Sequence, residues 1–149
     1  MWKSIALGVF ASGALQLSSG CAVNRATATV TPGANVGAAR SYYVVKVPAD
    51  QRGIQDLIRD GLARRGFSAR VGVDPAPPPG VDAVVTYVDR WMWDITMYMV
   101  ELTITFRNPS SNFPLASGNS FHTSLTRKSP EEMVDEVLGN IFDKARETK

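Results

Sequence analysis

The chain has 149 residues, 44% of them hydrophobic and 20% charged, and a formal net charge of +2. That length makes one domain the default, and so small a charge, with no block of Lys and Arg, argues against a nucleic-acid partner. With a single cysteine and a single histidine, neither an internal disulfide nor a thiolate metal site is available, and no cofactor or metal is expected.

Residues 1–20 read MWKSIALGVFASGALQLSSG. Lys3 forms a short positive segment, residues 5–15 a mostly apolar one, and Ser18, Ser19 and Gly20 the small residues that a signal peptidase requires. The apolar run is shorter than the roughly 20 residues needed to span a bilayer. The sole cysteine, Cys21, follows at once. Residues 22–40 are short on large apolar side chains and rich in Ala, Thr and Gly. They predict a flexible tether over 21–41, ahead of a folded domain over 42–149.

YYVVKV at 42–47 is β-branched and aromatic and predicts a strand ended by Pro48. Asp50 is a candidate N-cap for a helix whose apolar positions are Ile54, Leu57, Ile58 and Leu62, stopped at Gly66. Phe67, Ala69, Val71 and Val73 alternate as a second strand, and DPAPPPG at 74–80 must be a loop. A third strand is expected over 83–89, followed by RWMWD. A fourth runs over 95–107, with Tyr98, Val100, Leu102, Ile104 and Phe106 on one face and Met97, Met99, Glu101, Thr103 and Thr105 on the other. NPSSN at 108–112 is the turn into a fifth strand over 114–124, in which Gly118 and Asn119 are candidates for a bulge. Ser129, Pro130 and Glu132 spell a helix start with a capping box, and Met133, Val134, Val137, Leu138, Ile141 and Phe142 form its apolar side. The order β-α-β-β-β-β-α, with two one-sided helices, predicts an α+β two-layer sandwich: a mostly antiparallel sheet carrying both helices on one face.

The N-terminal signal resembles that of bacterial lipoprotein precursors. Ser19, Gly20 and Cys21 match the small-small-Cys end of their lipobox, although Ser18 stands where Leu is usual; secretion with a free Cys21 thiol is the alternative. The resemblance implies cleavage before Cys21, a lipid on its sulfur and an anchor in the membrane. Ala22, in place of the aspartate that usually retains such proteins in the inner membrane, implies the inner leaflet of the outer membrane, facing the periplasm. Signal, tether and element order together resemble the small periplasmic two-layer lipoproteins, among them the lipoprotein partner of the lipopolysaccharide translocon.

For chemistry the sequence offers little. His122 is the only histidine and has no nucleophile motif or carboxylate at a telling spacing. Asp89 and Asp94 flank the Trp pair as strand-end carboxylates. A solvated face accounts for Arg59, Arg64 and Arg65, contact with anionic lipid being the other reading. The segment RWMWDITMYM at 90–99 stands out. With the even side of the fourth strand given to the helices, Met97 and Met99 point to the uncovered face, with Trp91 and Trp93 beside them. Trp, Met, Tyr and Arg are enriched at interfaces, so Trp91, Trp93, Met97 and Met99 are candidate contacts for an envelope protein partner; a second small core is the competing expectation. The function expected is a non-enzymatic binding or assembly factor. Its rivals are a carrier of an apolar ligand between sheet and helices, lined by Leu102 and Phe106, and a periplasmic hydrolase using His122.

Overall fold

The computed structural model describes residues 23–148; the segment read as a signal, and Cys21, lie outside them. The elements are β1 (Asn24–Val30), β2 (Ser41–Val45), α1 (Ile54–Arg64), β3 (Ser68–Gly72), β4 (Ala83–Asp94), β5 (Thr96–Arg107), β6 (Pro114–His122) and α2 (Pro130–Glu147), with short 3-10 turns at Val36–Ala38 and Ser124–Thr126. The strands form one six-stranded sheet in the order β1-β6-β5-β4-β2-β3. Pairing is antiparallel from β1 through β4 and parallel across β4, β2 and β3. The parallel β2–β3 pair follows from its connection: β2 reaches β3 through α1, as a parallel crossover requires.

Both helices lie on one face, over a single apolar core. Ile54, Ile58 and Leu62 of α1 and Met133, Val137, Leu138 and Ile141 of α2 are fully buried against Val44, Val85, Leu102, Ile104 and Phe106. The expected α+β two-layer arrangement is what forms. α2 lies across β1, β6 and β5, and α1 across β2 and β3. The closest approach falls on Gly118, where a Cβ would come within 2.9 Å of Val137 and Ile141. Gly118 therefore marks the seat of α2 and not a bulge: its register, opposite Ala28 and Ile104, is regular. Tyr42, Phe67, Phe106 and Phe142 close the far end of the core, with ring centroids 4.9–6.4 Å apart.

The helix starts follow their chemistry. Ser129 and Glu132 make the reciprocal capping box, at 3.2 and 2.7 Å, with Pro130 opening α2. At α1 the capping position is Gly53, in the left-handed region at φ 73°. Asp50 serves the same end from further back. Its carboxylate accepts from the backbone N–H groups of Arg52, Gly53 and Ile54 at 2.7–3.1 Å, donors that a helix start otherwise leaves unpaired.

One expectation is corrected. From Asn24 onward the segment read as a tether is part of the fold: β1 pairs with β6 over its whole length, from Asn24 opposite His122 to Val30 opposite Ala116. Val36 in the following turn is buried, and Ala28 and Val30 pack on the core. Large side chains are unnecessary here because α2 lies close to this end of the sheet. Small inward residues (Ala26, Ala28) alternating with Arg25, Thr27 and Thr29 make a strand whose two faces contrast only weakly.

Candidate functional site

β4 and β5 form a hairpin much longer than its neighbours. β6 pairs with β5 only from Glu101 onward, and β2 pairs with β4 only over Ala83–Val85. Beyond the Arg90–Glu101 pair the hairpin continues alone as a two-stranded ribbon to its apex at Ile95. That residue takes φ 61°, uncommon for a β-branched side chain, and is 88% exposed.

At the foot of the ribbon the register slips. Arg90 pairs with Glu101 but Trp91 pairs with Met99, so Val100 is an extra residue in β5. A bulge of this kind exchanges the two faces of a strand. The expectation that Met97 and Met99 point away from the helices is thereby overturned. Met99 is 1% exposed and belongs to the main core, with Trp91 packed partly against it. Met97 and Trp93, paired with each other one step further out, share that side but extend past the core, 47% and 70% exposed. Met92 and Tyr98 take the opposite side. So the four expected contact residues do share one side, but it is the helix side, and only Trp93 and Met97 are available at the surface.

The foot is clamped on both faces. Arg52, in the turn before α1, stacks its guanidinium 4.1 Å from the Trp91 ring centre, and the indole N–H donates to Asp89. The Asp50 carboxylate that caps α1 also accepts from the Tyr87 hydroxyl, at 2.7 Å. Burial opposes ionisation of Asp50, but these hydrogen bonds prevail and hold its carboxyl below its ordinary range. On the other face Arg127 lies 4.3 Å from the Tyr98 ring centre and donates to the Asp94 carbonyl and the Thr96 hydroxyl, both at 2.7 Å. The ribbon is therefore held at its base by Arg52 and braced on one side by Arg127 as far as Asp94 and Thr96, while the side chains of Trp93, Ile95 and Met97 project into solvent.

His122 lies in a buried polar group under β6. Glu136 of α2 accepts from the Ser120 hydroxyl at 2.6 Å, from His122 Nε2 at 2.8 Å and from Lys128 Nζ at 2.6 Å. Burial raises the carboxyl pKa, but these three donors outweigh it and bring the group down to about 2. Ser120 is fully buried and donates to the carboxylate, so its oxygen neither meets the imidazole nor reaches solvent. The geometry is that of a structural polar cluster, in which hydrogen bonds from Ser120 and His122 join α2 to the sheet and Lys128 supplies the counter-charge.

The sheet face away from the helices is hydrophilic over β5 and β6, while Tyr43, Val45, Val81 and Val84 form a small apolar cluster on it over β2 and the start of β4. Thr105 bonds Ser117, Asn119 bonds Glu101 and Thr103, and Arg107 bonds Thr86. An open groove of about 820 Å³ crosses it between the proline loop at 75–77 and the turn at Asn108. Leu102 and Phe106, the expected lining of a carrier's cavity, are fully buried in the apolar core between sheet and helices. Among the described residues no helix is long and apolar enough to cross a membrane.

No protein-family model matches the chain, and no curated protein does. The fold has solved counterparts. The PelC dodecamer from Paraburkholderia phytofirmans superimposes with a TM-score of 0.57 at 14% identity, over 80% of this chain and 98% of that one. A point variant of the same PelC gives 0.57 at 13%, over 79% and 97%. A minor lipoprotein from Acinetobacter baumannii reaches a TM-score of 0.29 at 14% identity over 72% of this chain and 87% of its own, too low to carry an argument. At these identities the likeness to PelC is one of fold.

Proposed function

We propose that this chain is a lipid-anchored protein of the bacterial cell envelope, held through Cys21 on the periplasmic side of the outer membrane. It acts without catalysis, as a binding or assembly factor, and the tip of the β4–β5 hairpin is its binding surface. The observation that carries this reading is the tip itself. Met92, Trp93, Ile95 and Met97 are all at least 47% exposed on one projecting ribbon, and apolar groups gathered in this way mark interaction sites. The signal-like segment ending at the sole cysteine supports the anchor. The fold shared with PelC, itself solved as a dodecamer, supports an assembly role and makes further copies of this chain candidate partners.

Two measurements test the reading. Palmitate labelling in cells should tag the wild type and not Cys21→Ser; label persisting in the variant would falsify the anchor. A photo-crosslinking side chain at position 93 should give adducts in intact envelopes, whereas the same group at position 113, an exposed site in the turn at the other end of the hairpin's strands, should give few. Equal yields at the two positions would remove the tip as the binding surface.

A further inference from the structure

We infer that the partner of the hairpin tip is the lipid bilayer: the tip enters the headgroup boundary of the same membrane that holds the chain's N-terminus. This rests on the tip being the binding surface and names what it binds.

Register puts the two ends together. β1 begins at the ribbon end of the sheet, where Arg25, Phe121, Glu101 and Arg90 form one row across four strands. Asn24 is only three positions from Cys21, a reach of about 10 Å. From the same row the ribbon runs five residues further along β5, from Glu101 to Thr96, or about 15 Å. A surface that takes the chain at Cys21 therefore lies within reach of the ribbon tip. Val23 and Leu125, both exposed, belong to this end too, Leu125 through Arg127, which is bonded to the tip.

The distribution of apolar groups favours a fluid medium over a folded partner. A protein docking on a ribbon covers one of its faces. Here Trp93 and Met97 project from one face, Met92 from the other and Ile95 from the apex, and only a surrounding medium covers all of them. The tip is also electrically prepared. Asp94 is the one charged residue between Met92 and Met97, and Arg127 pairs with it at 3.3 Å. Tryptophan settles at the membrane interface, and Arg52, stacked on Trp91, keeps a positive charge at the foot that an anionic lipid surface attracts. Insertion is shallow, because the outer edges of a two-stranded ribbon carry backbone groups that hydrocarbon cannot satisfy; roughly 5–10 Å is the depth open to it.

The test uses the full lipidated chain, purified from membranes and reconstituted in phosphatidylethanolamine–phosphatidylglycerol vesicles. Tryptophan fluorescence should be quenched at least about twofold more by lipid brominated near the headgroup than by lipid brominated near the methyl end, as a shallow depth demands. Trp93→Phe should abolish most of that quenching, and Ile95→Asp should reduce it by half or more. A tryptophan moved to position 113 in the Trp93→Phe background should remain unquenched. Absence of quenching at every depth overturns the inference. If position 93 then still gives crosslinks, the tip binds a protein; if it gives none, the binding surface falls with it. Quenching without palmitate label keeps the tip on the bilayer and removes only the anchor.

Discussion

The two halves of the β4–β5 hairpin are built from similar residues and live in opposite surroundings. Below the bulge, Val85, Tyr87, Leu102, Ile104 and Phe106 are buried under two helices. Above it, Trp93, Met97 and Ile95 stand in the open. Hydrophobicity does not separate the halves, since both are rich in large apolar groups. What separates them is reach: β6 and β2 stop short of the ribbon, and the extra residue Val100 resets which side faces the helices. Apolar character thus states a requirement for cover, and topology decides whether the molecule itself supplies it.

The contrast breaks most severely if the sheet loses its far edge. A chain beginning at Ser41 lacks β1 and the buried Val36, and leaves the whole length of β6 as an exposed, unpaired edge. Such edges associate. That shortened chain is expected to aggregate or to melt without a cooperative transition in calorimetry; a soluble, sharply melting product would show that β1 is an accessory.

Next comes the buried half of the hairpin. Leu102→Ala or Ile104→Ala removes side chains with no exposure at all and should cost about 2–5 kcal/mol in denaturant unfolding. Thr103→Ala, on the hydrophilic face between them, should cost well under half as much. Equal losses at 103 and 104 would mean that the lower strand faces are not distinct.

The core is also polar near the hairpin's foot, and acid should find that spot. Glu136 has a folded-state pKa of about 2, below the 4.5 of a free glutamate. Its ionised form is favoured in the folded state, so its contribution is complete above pH ~4.5 and is lost as pH falls toward ~2, about 3 kcal/mol at most. Glu136→Gln should be less stable than wild type at neutral pH, and the gap should narrow through that window. A gap independent of pH would mean that the carboxylate's charge does not hold α2 to β6.

Much of this was legible in the residues. Ser129, Pro130 and Glu132 announce α2, and the alternation at 102–106 announces the buried face of β5, because capping and strand parity are local rules. β1 was hidden because its inward side is mostly alanine, with Val30 the one larger residue, sized to a helix whose nearness depends on Gly118, some 90 positions from Ala28. At the candidate site, Trp93 and Met97 were legible as apolar groups in need of cover. The face they occupy was not, since Val100 fits the even-numbered pattern perfectly while being the residue that breaks it. A bulge is decided by how two strands pair, and no single strand records it.

The smallest expected effects lie at the tip, where two methionines on one side of one strand, two residues apart, should behave unlike each other. Met99 is buried beside Leu102 and Trp91, so Met99→Ser creates a cavity and leaves a hydroxyl in the core; about 2–5 kcal/mol is the range for truncating such a side chain. Met97 is half exposed and its cross-strand partner is Trp93, itself mostly in solvent, so Met97→Ser should change unfolding free energy by no more than about 0.5 kcal/mol. The same substitution at 97 should weaken quenching by brominated lipid, because it removes apolar surface from the part of the ribbon assigned to the bilayer. Folding and binding are thus divided between neighbours of one residue type. If Met97→Ser and Met99→Ser destabilise the fold equally, the ribbon is part of the core to its tip, and the division drawn at Val100 is wrong.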